Sequence, residues 1–299
     1  MPEVVEVLIT SQYLEYKFLN KKIKKINILS GKYSKKEPQG YHNFLTKLPV
    51  KIISIKSKGK LLYFTLQNDK NEEFYIISTF GLSGSWSMIK NDYSHIEFKL
   101  ENSTMWYSDF RNFGNIYFLD SKKELYKRLT SKAPDLLQEK YNDDFIKKRI
   151  EKLMNKKNYP QKEIVKILME QEDNNAIGSG IGNYLVAEIL YDAKISPHKT
   201  LVEIYNNDKL IKSLTKSIKY ITKLSYTTSI NEYIGQYKEF YNYIKKCKYY
   251  KFHDDIKLKK NDKFFFKVYR QKNDKNGNIV KAERIIKTRT TYWVPLIQK

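Results

Sequence analysis

Pro2 stands directly behind the initiator methionine, with Glu3 and Glu6 beside it in "MPEVVEV". Methionine is normally removed before so small a residue, and Pro2 would then expose a secondary amine. An α-amine titrates near ~8, against ~10.4 for lysine, so much of it is nucleophilic at neutral pH. Attack of such an amine on a sugar C1′ forms an iminium, which acidifies the adjacent C–H and opens elimination chemistry. Glu3 would hold a carboxylate close to the amine for proton transfer. Glu6, one helical turn on, could hold the amine-bearing terminus by hydrogen bonds. Each residue also has an ordinary reading: proline at position 2 is common, and acids favour the first turn of a helix because of its dipole.

Four further groups of residues suit a phosphate backbone or an opened base stack. In "SKGKLLYF", Lys60 follows Gly59 in a tight basic turn where backbone and cation could both approach a phosphate. In "DFRNFG", Arg111 and Phe113 are spaced to fill the gap left when a base is extruded, and Leu82 in "TFGLSG" is an apolar wedge of the same kind. "NNAIGSGIGN" contains a GxGxG but follows a helix rather than a strand, which argues against dinucleotide binding. Helix, glycine turn, helix instead suits backbone N–H groups and Asn183 gripping one phosphate at a helix N-terminus. Near the C-terminus, "KTRTTYWVP" sets Arg289 in an aromatic, β-prone run. The plain alternatives are a solvated hairpin lysine, core aromatics, a helix-packing turn and a last strand.

The elements that must position these residues fall into regions. Residues 1–120 read mostly as β after a helix over about 3–18. Apolar runs in "VKIISIKSKGKLLYFTL" and "EEFYIISTFGLSGSWSM" are followed by two strands around "ENST". Such short strands with turn signals suggest a sandwich or barrel. From about residue 121 the period becomes helical, through "KKELYKRL", "DDFIKKRIEKL" and "NKKNYPQKEIVKILMEQ", the last with Pro160 near its start. A helix "YLVAEILYDAKI" stops before Pro197, and more helix fills about 200–250. β character returns with "KFFFKVYRQ", and Asn276-Gly277 predicts a hairpin turn between it and "VKAERIIKTRTTYW".

Composition narrows the function classes. The chain carries 56 Lys+Arg against 33 Asp+Glu, a formal net charge of +23, which suits a phosphate-binding surface or an AT-rich coding bias. Cys247 is the only cysteine, which excludes internal disulfides and multi-cysteine zinc sites and is compatible with a reducing compartment. The four histidines show no zinc spacing. No apolar run approaches the ~18–20 residues of a membrane span, and the acids in the first six residues argue against a secretory signal. The expectation is a soluble intracellular protein.

Taken in order, "MPEVVEV", "KGK", "GLSG", "DFRNFG", "APDLL", "GIGNYLVAEIL" and "TRTTYWVPLIQ" resemble the formamidopyrimidine-DNA glycosylase/endonuclease VIII family over nearly the whole chain. The resemblance implies an α+β multidomain fold. It comprises an N-terminal β-sandwich catalytic domain (1–125), a linker (126–145), a helix–two-turn–helix domain (146–260) and a β-hairpin finger (261–299). It implies Pro2 as the nucleophile at C1′, Glu3 as the acid that assists ring opening and shuttles protons, and Glu6 in support. Lys60, Asn183 and Arg289 correspond to residues on the lesion-site phosphates. Leu82, Arg111 and Phe113 match the residues that fill the hole and face the orphaned base; Leu82 is Met in many relatives.

One feature departs from the family. Most members hold zinc through four finger cysteines, yet Val294 and Ile297 stand at two of those positions and the other pair is missing from "RQKNDKNGN". This resembles the zincless-finger branch, and "GIGNYLVAEILY" leans toward its endonuclease VIII-like members. The function implied is bifunctional repair of damaged, mainly double-stranded DNA. Oxidised pyrimidines, formamidopyrimidines or hydantoins would be excised, and the strand then nicked by β,δ-elimination. No metal, organic cofactor or membrane is expected, and the chain would act as a monomer. Rival readings are a non-catalytic basic nucleic-acid-binding protein, a monofunctional glycosylase using water, and a preference for 8-oxoguanine.

Overall fold

The computed structural model describes residues 2–236, 238–246 and 252–299, with only the backbone of 233–236 and 241; Met1 and Cys247 lie outside the described residues. The chain divides into two compact units, one of Pro2 and residues 6–130, the other of residues 3–5 and 131–299.

Helix α1 (Val4–Phe18) lies in the first unit from Glu6 on. Its sequence begins with β-branched residues that favour strands, but Val4, Val5 and Val7 are fully buried, and burial overrides propensity. Eight strands follow: β1 (Lys22–Ile28), β2 (Val50–Lys58), β3 (Leu61–Gln67), β4 (Glu73–Thr79), β5 (Gly84–Ser87), β6 (Ser94–Leu100), β7 (Thr104–Asp109) and β8 (Asn115–Leu119). They pair antiparallel in the order β5-β7-β6-β1-β2-β3-β4-β8. β1 meets β2 only at Lys22↔Lys51 and Ile23↔Val50, and follows β6 for most of its length. That narrow joint lets the two halves face each other as a sandwich. Trp86 of β5 lies between Phe64 of β3 and Phe98 of β6, each ring centroid 5.0 Å away, within a core shared with Leu14 and Phe18 of α1. The short α2 (Tyr41–Leu45) and α3 (Lys122–Thr130) complete the unit. Where two strands were expected around "ENST" there are three, because the turn at 110–114 separates β7 from β8.

The second unit is helical: α4 (Asp143–Met154), α5 (Ile164–Met169), α6 (Asn183–Ala193), α7 (Leu201–Tyr205), α8 (Asp208–Gln236) and α9 (Lys238–Lys246). α6 is mostly apolar, with Tyr184 through Tyr191 all buried, the sign of a central helix. α5 is shorter than the period predicts. Before it, the Ile164 N–H donates to the Lys199 carbonyl and Glu163 bridges Thr200, so that backbone is extended.

The C-terminal hairpin corrects two expectations. Strands β9 (Lys281–Ile286) and β10 (Arg289–Trp293) pair with each other and turn at Lys287–Thr288. "KFFFKVYRQ" forms no strand. Glu188, fully buried in α6, accepts from the N–H groups of Lys267, Val268 and Tyr269 at 2.9–3.0 Å, so a side chain takes the donors a ladder would use. Burial pushes the Glu188 carboxyl above its ordinary value, against the pull of those donors. Asn276-Gly277 closes a separate small loop. There the Asp274 carboxylate accepts from the Asn276 and Asn278 N–H groups, the Asn278 amide and the Tyr191 hydroxyl, each at 2.9 Å.

Zinc does not fit this finger. Val294 is fully buried among Ala187, Tyr191, Val268 and Val280, with Ile297 against them, and hydrocarbon offers no ligand.

Candidate functional site

In the second unit the chemistry gathers at the N-terminus of α6. The segment leading to it is braced from α4, where Arg149 donates to the carbonyls of Asp173, Ala176 and Ile177 and to the Asp173 carboxylate. Gln171 braces it further, accepting from the Gly180 N–H and donating to the Ile181 carbonyl. The Glu3 carboxylate, 1% exposed, fills the helix end. It accepts from the N–H groups of Gly182 at 2.6 Å, Tyr184 at 3.0 Å and Leu185 at 3.3 Å. An anion at the positive end of a helix, with unsatisfied N–H groups pointing at it, is favourably placed. A Cβ on Gly182 would lie 2.4 Å from the Glu3 carboxyl carbon, so only glycine admits this approach.

Within "GSGIGN" the Gly182 N–H is thus taken by Glu3, an internal anion, together with the Tyr184 and Leu185 N–H groups that follow the motif.

Asn183 is the first residue of α6, and its amide donates to the Thr290 carbonyl at 3.1 Å. Its carbonyl oxygen is buried and has no partner. Thr290 is next to Arg289, which opens β10 at the tip of the hairpin, opposite Ile286. Arg289 lines an open cleft of about 330 Å³ with Lys162, Lys166, Met169, Glu170 and Ile286. Glu3 and Asn183, far apart in sequence, thus meet at one helix end, and Arg289 adjoins the residue that Asn183 contacts.

The first unit holds the other candidates. Lys60 is half-buried in the two-residue turn joining β2 to β3, set by the Lys58↔Leu61 pair. Leu82 lies half-buried in the β4–β5 turn, while Arg111 and Phe113 are exposed in the β7–β8 turn. Asp109, 1% exposed, ties these two turns together. Its carboxylate accepts from the Ser83 hydroxyl at 2.5 Å and the N–H groups of Gly114 at 2.7 Å and Arg111 at 3.3 Å. The Ser83 hydroxyl in turn accepts from the Arg111 N–H at 2.9 Å. A Cβ on Gly81 would come within 2.8 Å of that of Phe113, so the turns pack directly. Lys32 donates to the Gly114 carbonyl at 2.5 Å and Asn115 at 2.8 Å; burial lowers its pKa, partly offset by Asp109.

Pro2 is half-buried and groups with the first unit, one peptide bond before Glu3; Glu6 is half-buried in the first turn of α1. Sequence reasoning missed Asp109 and Glu188 as anchors. The available signal was an acid within a glycine-rich turn motif, or within an otherwise apolar helix.

Comparison with known proteins agrees with this architecture. The formamidopyrimidine-DNA glycosylase N-terminal domain profile matches residues 1–116, and the C-terminal domain profile matches 254–299. A formamidopyrimidine-DNA glycosylase of Prochlorococcus marinus is 28% identical with full coverage of both chains. One from Rickettsia bellii is 29% identical over 74% of this chain and 76% of its own. Among solved structures, MutM in complex with DNA containing carbocyclic 8-oxo-G superposes with a TM-score of 0.75 at 20% identity, covering 100% of both chains. Lactococcus lactis Fpg bound to DNA with an AP site superposes with a TM-score of 0.74 at 20% identity, covering 99% of both. Two family domains in their expected order, with full-length relatives and the same fold, place the chain: it belongs to the formamidopyrimidine-DNA glycosylase family.

Proposed function

We propose that this chain is a bifunctional base-excision repair enzyme that removes oxidised bases from duplex DNA and nicks the strand at the resulting site. The observation that carries the reading is that Glu3 and Asn183 meet at the N-terminus of α6, with Asn183 bonded to the carbonyl of Thr290, the neighbour of Arg289. These are residues the sequence nominated for proton transfer and phosphate contact.

With Met1 removed, the Pro2 nitrogen attacks C1′ and the glycosidic bond breaks, its electron pair leaving with the base. The Glu3 carboxylate takes the proton that the Pro2 nitrogen releases and passes it to the sugar ring oxygen as the ring opens to the iminium. Loss of a C2′ proton then expels the 3′ phosphate, and a second elimination expels the 5′ phosphate. Glu6 supports the amine-bearing terminus. Lys60, Asn183 and Arg289 hold the flanking phosphates, while Leu82, Arg111 and Phe113 occupy the space of the extruded nucleotide. The buried hydrocarbon at Val294 supports assignment to the zincless-finger branch. Oxidised pyrimidines, formamidopyrimidines and hydantoins are the proposed substrates. The proposed domains are 1–125, 146–260 and 261–299 around a 126–145 linker, with the chain acting as a monomer. Among the described residues no helix is long and apolar enough to cross a membrane.

The test is borohydride reduction of protein, with Met1 proven absent, mixed with DNA carrying an abasic site or an oxidised base. A covalent adduct lost on replacing Pro2 is expected. No adduct would sink the lyase reading and leave a non-catalytic DNA-binding protein or a water-using glycosylase.

A further inference from the structure

Beside Arg111 lies a feature that this mechanism does not use. Phe110 is 61% exposed and Tyr93 47% exposed, and their rings meet edge to face with centroids 4.8 Å apart at 72°. Large aromatic side chains left in water together mark a binding surface more often than a packing remnant. Neither ring hangs on a loose segment. The Asp109 N–H donates to the Tyr93 carbonyl at 3.0 Å, the Tyr93 N–H donates to Asn91 at 2.9 Å, and the Asp109 carboxylate fixes the backbone on the far side of Phe110. The Asn112 N–H closes the turn on the Asp109 carbonyl at 3.1 Å, leaving Phe110 and Arg111 as its two central residues.

We infer that Tyr93 and Phe110 form a stacking platform for an unpaired nucleobase. An edge-to-face pair covers one face of one ring and leaves the rest of both rings to a flat, apolar partner. Lys90 and Arg111 are exposed within three residues of the pair, against one exposed acid, Asp92, on a chain of net charge +23. A nucleic-acid strand satisfies both features, since its bases stack on aromatic faces while its phosphates meet the cations. An apolar protein segment satisfies only the first. The platform therefore adds affinity for DNA whose bases are already unpaired, independently of any sequence reading.

This inference rests on the proposed action on DNA, and two arms separate the two ideas. Binding of fluorescein-labelled oligothymidylate is measured by anisotropy over a range of salt concentrations. Phe110→Ala weakens binding about 5- to 100-fold, the worth of one stacked base. The slope of log affinity against log salt stays unchanged, because no phosphate contact is lost. Phe110→Trp, which keeps a stacking face, restores binding and guards against misfolding of the alanine variant. Affinity within twofold of wild type for both Phe110→Ala and Tyr93→Ala overturns the inference. So does a loss that also flattens the salt slope. Borohydride trapping of the wild type on abasic duplex judges the underlying reading: trapping with no effect of the Phe110 change sinks the platform alone, and no trapping sinks the parent reading.

Discussion

Replacing Glu3 with Gln keeps the shape of the side chain and removes only its charge and one acceptor. One carboxylate oxygen accepts from Gly182 and Leu185, the other from Tyr184. The least costly amide orientation keeps the first pair and turns an NH2 group toward the Tyr184 N–H, donor against donor. At 1% exposure, water cannot relieve that clash. Loss of a hydrogen bond to a charged group costs roughly 1.5–3 kcal/mol, and loss of the anion at the helix N-terminus about 0.3–2 kcal/mol more. The sum of about 2–5 kcal/mol lowers the melting temperature of a unit this size by about 4–20 °C. Thermal and urea unfolding of Glu3→Gln and wild type, both with Met1 removed, provide the assay. Gly182→Ala is a companion, because its Cβ displaces the same carboxylate. The double variant should destabilise by much less than the sum of the two single changes. A Glu3→Gln protein within about 0.5 kcal/mol of wild type, or strict additivity with Gly182→Ala, would refute the role of Glu3 as an internal cap, whatever happens to activity.

Arg289→Ala should reduce strand incision ten- to hundredfold, the worth of one charged hydrogen bond to phosphate, in a protein that still folds; wild-type incision would refute its phosphate role. Burial works to raise the Asp274 carboxyl, but hydrogen bonds from Asn278, Tyr191 and Asn276 outweigh it and leave the group below its ordinary value. A depressed carboxylate contributes stability above its unfolded pKa of ~3.9 and loses it as pH falls through the folded value. Asp274→Asn should therefore lower stability at neutral pH and converge with wild type below about pH 4; parallel pH profiles would contradict this. A chelator should change neither incision nor melting, and stoichiometric zinc in the purified protein would overturn the zincless assignment.

Much of the first unit was legible because its signals are local. Short β-prone runs punctuated by glycine became β2 through β5, and the turn motifs around Lys60, Leu82, Arg111 and Phe113 are turns in the structure. α6 and α8 showed their helical period, and Arg289 and Asn183 could be named from the few residues around each. Distant partners had no local trace. "KFFFKVYRQ" has strand composition, yet Glu188, some eighty residues earlier, takes its N–H groups and bends it into a loop. Asn276-Gly277 is a hairpin signal by itself, but Asp274 and Tyr191 close it as a small separate loop, and the hairpin forms further on, at Lys287–Thr288. The glycine turn before α6 could be read locally, but nothing near it in sequence showed that the fold delivers Glu3 to the Gly182 N–H and to the first donors of the helix. Local sequence sets which backbone conformations are accessible. Which buried donor meets which acceptor is decided only when the chain closes on itself, since an unpaired polar group inside costs more than any local preference supplies.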